Sequence, residues 1–346
     1  MGGDYGALFK EYGIMKVKDI GEFALIERIA EIVEHADERV ILTIGDDTAV
    51  VKPTGLDYTL LTTDLLVENV HFTLTSISPW QLGYKSIAVN LSDVAAMGGL
   101  PDYGVISLAV NPETDVVVIE DLYRGMADIS RRYGLRIVGG DVTKSDTLII
   151  NVALVGEVEE ENLCRRSDAK VNDLIMVTGE LGASGAGLRL VLNPELESRV
   201  KDAGRLKKAH FLPEPRIKEG RILAQSGVNA MEDISDGLAS EVKHICEASL
   251  VGARLYMNKV PIAKGVEKVA ELTGERAIDI AITAGEDYEL VFTAPREQRE
   301  EIGRRLADAG AKATVVGEVV DVSGGITIVD WTGTVRTLDV GGYTHF

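Results

Sequence analysis

The sequence predicts a two-domain protein of the α/β class with helices and strands mixed in both halves. Its 346 residues exceed the needs of one small core and suit two domains. Helical and strand patterns alternate on both sides of a polar stretch at 157–173, which is typical of a domain boundary. We therefore expect an N-terminal extension over 1–14, a first domain over 15–160 and a second over 161–346.

Local patterns predict the elements of the first half. Ser78 and Gln81 have the spacing of a capping box, so a helix should begin there and run to about Met97. A longer helix within 113–133 should end at Gly134, because glycine adopts the left-handed conformation that closes a helix. Strands are predicted at 40–44, 58–63, 103–110, 136–138 and 148–156.

The second half opens with a predicted strand over 174–178 and a glycine-rich segment over 179–187. Such a segment either receives a phosphate at the start of a helix or allows a helix to pack tightly on a strand. The stretch 193–215 is polar and interrupted by helix breakers. Further helices are predicted at 216–225 and 237–248, and further strands at 290–293 and 314–320.

Composition excludes several classes of function. The formal net charge of −19, from 36 basic and 55 acidic residues, argues against binding nucleic acid or anionic membranes through bulk charge. Cys164 and Cys246 are too few and too far apart for a disulfide framework or a zinc site. We expect no membrane span and no signal peptide, and therefore a cytoplasmic protein.

Acidic residues recur at predicted strand ends and in glycine-rich turns. One aspartate beside a glycine is usually a turn former, so their meaning depends on whether the fold brings them together. Two carboxylates about 4 Å apart repel by roughly 4 kcal/mol at an effective dielectric near 20, so a converged set needs protons or cations. Oxygen ligands favour hard cations such as Mg²⁺, which bridges to phosphates. The set comprises Asp46, Asp47, Asp64, Asp93, Asp141, Asp233, Asp236, Glu286 and Asp287.

Asp93 is the member that a turn explains least well. It lies in an apolar predicted helix and shares a face with Asn90 and Met97. A carboxylate in such a helix should be paired, hydrogen-bonded or bound to metal, although capping of a neighbouring loop is an alternative. The chain has neither a Gly-x-x-x-x-Gly-Lys-Ser/Thr loop nor the His-Arg-Asp and Asp-Phe-Gly motifs of protein kinases. A nucleotide site would therefore be of another kind.

Taken in order, the motifs resemble those of the thiamine-monophosphate kinase family, within the aminoimidazole ribonucleotide synthetase-like superfamily. They are GDDTA at 45–49, TTD at 62–64, AVNLSD at 88–93, GGD at 139–141, DISDG at 233–237, GEDYEL at 285–290 and GYTHF at 342–346. The resemblance covers nearly the whole chain from about Met15. It implies a two-domain fold whose N-terminal sheet pairs across a homodimer.

The resemblance also implies an activity, namely Mg²⁺-dependent transfer of the γ-phosphoryl group of ATP to thiamine monophosphate, directly and in line. Several Mg²⁺ ions would lie with ATP between the domains. The implied metal ligands are Asp47, Thr62, Thr63, Asp64, Asp93, Asp141, Asp233 and Asp236. Among these, the implied catalytic residues are Asp93, Asp141 and Asp236. The implied ATP contacts are Gly140, Asp141, Arg166, Ser235 and Tyr123. The implied contacts to thiamine monophosphate are His71, Glu286 and Tyr343.

One departure and two alternatives accompany this interpretation. Val340 stands where the family often has tryptophan, so an aromatic wall would have to come from Tyr343, Phe346 or another part of the chain. A lone histidine near an apolar strand end, such as His71, is more often a structural hydrogen-bonding residue than a binding or catalytic one. The chain could instead be another ATP-dependent member of the superfamily, such as a selenophosphate or purine-pathway synthetase, or a nucleotide- and metal-binding protein without turnover. A selenophosphate synthetase should carry a reactive cysteine near its N-terminus, whereas the first cysteine here is Cys164.

Overall fold

Two β-sheets organise the described part of the chain, one in each half. The computed structural model describes residues 40–42, 46–52 and 57–338, all of which belong to one compact unit. The extension predicted over 1–14, Val340 and the predicted substrate contact Tyr343 lie outside the described residues.

The first sheet has the strand order β1-β2-β3-β6-β4-β5. Neighbouring strands are antiparallel except for the parallel pair of β4 and β5. Its strands are β1 (Val40–Leu42), β2 (Ala49–Val51), β3 (Tyr58–Val67), β4 (Leu100–Val110), β5 (Arg136–Lys144) and β6 (Ile149–Val158).

Two helices of the first half pack against each other, and the first also packs on the sheet: α1 (Pro79–Ala96) and α2 (Val116–Tyr133). The predicted capping box is present at the start of α1. The amide of Gln81 donates to Ser78 Oγ at 3.2 Å, and the amide of Ser78 donates to Gln81 Oε1 at 3.0 Å. Gly134 closes α2 with a left-handed φ of 77°, as predicted.

Several strands extend past their predicted ends, and β3 and β5 do so across residues of the predicted site. β3 pairs with β6 along its whole length, from Tyr58 to Val67, so Asp64 lies inside a strand and not at its end. β5 likewise continues through Gly139, Gly140 and Asp141 beside β4. Polar and glycine residues mark strand ends in most sequences, but here the hydrogen-bonded ladder carries the strands past them.

The first sheet presents an apolar outer face. Odd-numbered residues of β3 point away from the core, and Leu61 and Leu65 are 40% and 49% exposed. Further across the sheet, Val105 of β4 and Val138 of β5 share this surface with Leu61 and are exposed as well. A contiguous apolar face of this kind is typical of an interaction surface.

The second sheet has the order β13-β12-β9-β11-β7-β10-β8. Its strands are β7 (Leu174–Thr178), β8 (Met231–Asp233), β9 (Gly252–Tyr256), β10 (Leu290–Ala294), β11 (Ala313–Val320), β12 (Ile326–Val329) and β13 (Val335–Thr337). The helices of this half are α3 (Ala183–Leu192), α4 (Ala203–Phe211), α5 (Ile217–Ala224), α6 (Leu238–Ser249), α7 (Val266–Thr273), α8 (Ala277–Thr283) and α9 (Arg299–Asp308). Helix α4 lies in the stretch expected to be interrupted by helix breakers. It forms there because Leu206 and Phe211 are buried.

The two halves meet along α1, which contacts both α5 and β8. The approach of α5 is close, since a Cβ added to Gly220 would lie 2.2 Å from the carbonyl oxygen of Ala95. Arg221 of α5 also donates to both carboxylate oxygens of Glu159, at 2.7 and 2.8 Å. α1 therefore carries residues of the first half to the edge of the second sheet. No helix of the described ranges has the length and apolar character required to cross a bilayer.

Candidate active site

Three predicted metal-binding aspartates converge where the halves meet. Asp47 follows β1, Asp93 lies on α1, and Asp233 ends β8 of the second sheet. Each offers a carboxylate oxygen, and these oxygens all lie within 4.8 Å of one another. The fold thus gathers acidic groups from both halves into what we call the aspartate cluster, formed by Asp47, Asp93 and Asp233.

Burial and repulsion set the charge of this cluster. Burial raises the pKa of Asp93 well above its usual value, and the carboxylates of Asp64, Asp233 and Asp47 raise it further. Burial, followed by repulsion from Asp47, likewise raises the pKa of Asp233. Asp64 is close enough to act on Asp93, and burial raises its own pKa to about 6. Protons or cations must therefore neutralise these groups.

Hydroxyl groups fix the orientation of two cluster members. Thr62 Oγ1 donates a short hydrogen bond to Asp93 Oδ2. Ser92 Oγ donates to Asp233 Oδ2 at 2.5 Å, although the two residues belong to different halves. Because each bond engages one carboxylate oxygen, the orientation of both carboxylates is set by neighbouring side chains.

Arg166 belongs to the second half and binds acidic groups of both halves. Its Nη2 lies 2.6 Å from Asp47 Oδ1 and 3.0 Å from Glu232 Oε1, and its backbone N–H donates to Asp46 Oδ2 at 3.3 Å. Burial, repulsion from Asp47 and attraction to Arg166 act together on Asp46, and the net effect raises its pKa to about 7. The predicted ATP contact Arg166 therefore lies directly beside the aspartate cluster.

The loop after β8 carries Ser235 and Asp236 and is held by Glu241 of α6. Glu241 Oε1 accepts the amides of Ser235 at 3.2 Å and Asp236 at 2.7 Å. His244 Nδ1 lies 3.1 Å from Glu241 Oε2 and 3.0 Å from Glu232 Oε1. The predicted ATP and metal residues Ser235 and Asp236 are thus tied through this network to Arg166.

Glu286, a predicted substrate contact, forms an ion pair with Lys85 and a hydrogen bond with His210, whose pKa is lowered by burial and by Lys85. Lys85 Nζ of α1 lies 2.8 Å from Glu286 Oε1, and His210 Nδ1 of α4 lies 3.1 Å from Oε2. Burial alone would raise the pKa of Glu286, but Lys85 and His210 lower it well below its usual value. The carboxylate is therefore ionised near neutral pH.

A cavity of about 570 Å³ adjoins this ion-paired carboxylate. The lining combines apolar side chains with the basic residues His71, Lys85, Lys207 and His210. His71 Nδ1 accepts the amide of Val67 at 2.9 Å, so a neutral ring carries its proton on Nε2. We call this cavity the α1–α4 pocket; its other lining residues are Asn69, Val70, Phe72, Thr73, Thr75, Ser76, Ile77, Leu188, Leu190, Val191, Leu192, Pro194 and Phe211.

Two further acidic residues of the GEDYEL motif, Asp287 and Glu289, stabilise the segments around the motif. Asp287 accepts the amides of Gly182 at 2.6 Å and Ser184 at 3.1 Å, and so caps α3 from a distant loop. Glu289 accepts Thr178 Oγ1 at 2.7 Å and Arg216 Nε at 2.8 Å. Their contacts support the loop that carries Glu286.

Some predicted residues lie elsewhere. Asp141 is exposed on β5, where it pairs with Ser107 on the outer face. Gly140 is aligned with Asp64 in the register of the sheet. It lies three strands away across the sheet, at a distance of about 14 Å. Thr63 Oγ1 donates to the carbonyl of Val152. Tyr123 packs half-buried on α2 against the core. The functional roles of these residues stay predictions.

Sequence reasoning missed several residues of this region. Lys85 is a charged residue in the same apolar helix as Asp93, so the argument that singled out Asp93 applied to it equally. Glu241 and His244 are three residues apart on one helix and share a face, which is a usable signal. Nothing local distinguishes Ser92 or His210, whose partners are distant in sequence.

The comparisons with known proteins agree with this geometry. Residues 45–158 match the N-terminal domain of AIR synthase related proteins, and residues 170–330 match the C-terminal domain. The thiamine-monophosphate kinase of Bacillus subtilis (strain 168) is 37% identical over 329 residues, which are 94% of this chain and 99% of that protein. The chain belongs to the thiamine-monophosphate kinase family. The family member of Escherichia coli (strain K12) is also 37% identical, over 94% of this chain and 98% of its own length.

Solved structures of the family share the fold. The structure of AaThiL complexed with AMPPCP and TMP superposes with a TM-score of 0.84 at 34% identity, covering 97% of this chain and 100% of that chain. The thiamine monophosphate kinase of Aquifex aeolicus gives a TM-score of 0.79 at 34% identity, covering 94% and 100% of the two chains. Family membership confirms the predicted two-domain architecture with mixed helices and strands.

Proposed function

We propose that this protein transfers the γ-phosphoryl group of ATP to thiamine monophosphate, giving thiamine diphosphate and ADP. The observation that carries the proposal is the aspartate cluster between the halves, which lies beside Arg166 on one side and near the α1–α4 pocket along α1. Family relatives bear the name of this activity, and AaThiL was solved with an ATP analogue and TMP.

The aspartate cluster suits Mg²⁺. It offers hard oxygen donors, and the pKa values of Asp93 and Asp233 are raised by burial and by neighbouring carboxylates, as expected where cations belong. Asp47, Asp93 and Asp233 would hold an ion, with Asp64 beside them. We propose Asp141 and Asp236 as ligands of further ions, on the family resemblance. Bound Mg²⁺ would neutralise the two anionic reactants.

The α1–α4 pocket suits the organic part of thiamine monophosphate. Lys85 precedes Asp93 by eight residues on α1, which is about 12 Å along the helix axis. That separation matches the length of the acceptor, so its phosphate can reach the cluster while its rings lie in the pocket. His71 lines this pocket, and Glu286 contacts two of its lining residues, Lys85 by an ion pair and His210 by a hydrogen bond.

The reaction depends on positioning of the two reactants more than on side chains that act as nucleophile or base. An oxygen of the acceptor phosphate attacks Pγ of ATP, the bond from Pγ to the β–γ bridging oxygen breaks, and ADP leaves. That oxygen is already anionic near neutral pH, so no base has to remove a proton. Arg166 and the loop of Ser235 orient the nucleotide, and the buried aspartates keep both reactants in line.

An assay of ADP release and product identity tests this proposal. With ATP and Mg²⁺, we expect turnover with thiamine monophosphate and at least about a hundredfold less with thiamine or unrelated phosphates. Equal turnover with unrelated phosphates would favour another member of the superfamily. ATP binding without ADP release would favour a binding protein without turnover.

The Asp93→Asn variant tests the cluster itself. It should reduce kcat by about a thousandfold or more because a buried charged ligand is lost. It should not lower Tm in EDTA, since one repelling carboxylate is removed. Asp308→Asn, on the exposed surface of α9, is the matched control and should behave like wild type. Wild-type turnover of Asp93→Asn at saturating Mg²⁺ would remove Asp93 from the mechanism.

We also propose that the protein is a homodimer that works in the cytoplasm. The apolar outer face of the first sheet, including Leu65, Val105 and Val138, supports the assembly. Cys164 and Cys246 are both buried free thiols, which suits a reducing compartment.

A further inference from the structure

We propose that Lys85 and His210 are positioning residues that determine substrate specificity. They hold the Glu286 carboxylate where it accepts a hydrogen bond from the aminopyrimidine ring of thiamine monophosphate. This inference rests on the proposed function, and it assigns a role to two residues that the motif analysis did not select.

The carboxylate is fixed from three sides. Lys85 holds Oε1 at 2.8 Å and His210 holds Oε2 at 3.1 Å. The Glu286 amide donates to the carbonyl of Ser235 at 2.7 Å. Glu286 also has a left-handed φ of 65°, which a side chain rarely adopts without such support. Glu286 lies on a loop, but its contacts with α1 and α4 fix its side chain as firmly as a residue of a helix.

The fixed carboxylate keeps accepting capacity. A carboxylate has about four lone-pair positions, and the contacts with Lys85 and His210 leave about half of them. The Glu286 side chain is 31% exposed, whereas those of Lys85 and His210 are only 5% and 7% exposed. Lys85 and His210 line the α1–α4 pocket, and Glu286 beside them is the more exposed group that offers an acceptor to a ligand.

Charge and distance select the aminopyrimidine over the thiazolium ring. Lys85 lies about 12 Å along α1 from Asp93, so the ligand end opposite the phosphate reaches Glu286. The cationic thiazolium would meet the repulsion of Lys85 at this position. The neutral aminopyrimidine offers an N–H donor without adding a second positive charge, and the ionised carboxylate is a strong partner for it.

Discrimination against oxythiamine monophosphate tests the assignment, because this analogue carries an oxygen in place of the amino group. Wild type should prefer thiamine monophosphate in kcat/KM. In Lys85→Met and His210→Ala, we expect KM for thiamine monophosphate to rise about tenfold and the preference to fall at least about fivefold. KM for ATP should stay within about twofold of wild type. His210→Asn, which retains a donor near the position of Nδ1, should recover part of the preference.

Two controls separate specificity from folding. Lys268→Met removes an exposed lysine of α7 that pairs with Glu271 at 2.9 Å, and it should match wild type. The double variant Lys85→Met with Glu286→Gln removes the charge that Lys85→Met leaves unpaired. It should regain thermal stability without regaining the preference.

The outcomes are distinct. A wild-type preference retained in well-folded Lys85→Met overturns the assignment, as does a KM rise that is equal for the two acceptors. If wild type fails to phosphorylate thiamine monophosphate at all, the proposed function itself is wrong, and these variants are not needed to show it.

Discussion

Individual carboxylates of this protein carry charge states set by burial. Asp64 and Asp46 have pKa values raised to about 6 and about 7, against 3.8 for an ordinary aspartate. Glu286, by contrast, stays ionised through Lys85 and His210. The acidic residues predicted from the motifs therefore differ in role: Asp64 and Asp46 hold protons or cations, whereas Glu286 accepts hydrogen bonds.

The raised pKa values predict how stability depends on pH. The folded protein binds protons at Asp64 and Asp46 more tightly than the unfolded chain, so their stabilising effect is complete below about pH 4. It is lost as pH rises through about 6 and 7. In EDTA, we expect Tm to fall between about pH 4 and pH 7, where the folded protein holds these protons and the unfolded chain does not. Mg²⁺ with an ATP analogue should reverse much of this fall, because divalent ions bind the deprotonated carboxylates.

Differential scanning fluorimetry with and without Mg²⁺ measures both trends. A Tm in EDTA that rises over this pH range would contradict the assigned protonation of the two aspartates.

At this scale, the sequence predicts residues whose environment is local. Asp93 stands out because a carboxylate in an apolar helix needs a partner, and it has one in Thr62. Lys85 obeys the same rule, although its partner could not be inferred. Ser92 and His210 act through partners 141 and 76 residues away, so no local pattern reveals them.

At the scale of elements, loops fixed by close backbone contacts hold the active groups. A Cβ added to Gly285 would lie 2.2 Å from the carbonyl oxygen of Ser235, so only glycine allows this approach. The contact joins the loop of Glu286 to the loop of Ser235 and Asp236. The proposed substrate and nucleotide residues are therefore mechanically linked.

Gly285→Ala tests this link. The added methyl group must displace backbone, so we expect a loss of roughly 1–3 kcal/mol in the free energy of unfolding. KM should rise for both ATP and thiamine monophosphate, because both loops move. Gly303→Ala in α9 is the control, since nothing lies within 4 Å of its added Cβ, and it should be neutral or stabilising by up to about 1 kcal/mol. Urea unfolding measures the change in the free energy of unfolding, and steady-state kinetics measures the two KM values. A Gly285→Ala variant with wild-type stability and KM values would refute the link.

Element types are correct wherever the sequence predicts an element in the described residues, but strand ends are not, and several elements of the second half, among them α7, α8, α9 and β9, were not predicted. The capping box at Ser78 and the glycine end of α2 are local signals, and both are confirmed. β3 and β5 extend past their predicted ends because the neighbouring strands β6 and β4 supply hydrogen bonds. Helix α4 was missed because tertiary burial of Leu206 and Phe211 outweighs its polar composition.

At the scale of the whole molecule, the convergence of the aspartates depends on α1 meeting the second sheet. Sequence order alone could not show that Asp47 and Asp233 meet, since 186 positions separate them. Family resemblance supplied that expectation, and the described structure brings the cluster together. Asp141 stays apart on the outer face of the first sheet.

The apolar outer face of the first sheet is the basis for the proposed homodimer. Val105 lies on β4 within the exposed apolar surface, and a charge placed there should oppose pairing of two such sheets. Light scattering after gel filtration should give the mass of two chains for wild type and of one chain for Val105→Glu. Val322→Glu, exposed in the second half, is the control and should remain dimeric. A monomeric wild type would exclude the proposed homodimer.

The most direct test of the central claim is anomalous diffraction from crystals grown with Mn²⁺ and AMPPCP. The account predicts a Mn²⁺ peak about 2.1 Å from carboxylate oxygens of Asp47, Asp93 and Asp233, with the nucleotide phosphates on the same ion. Phosphates bound with Mn²⁺ away from these three carboxylates would contradict it.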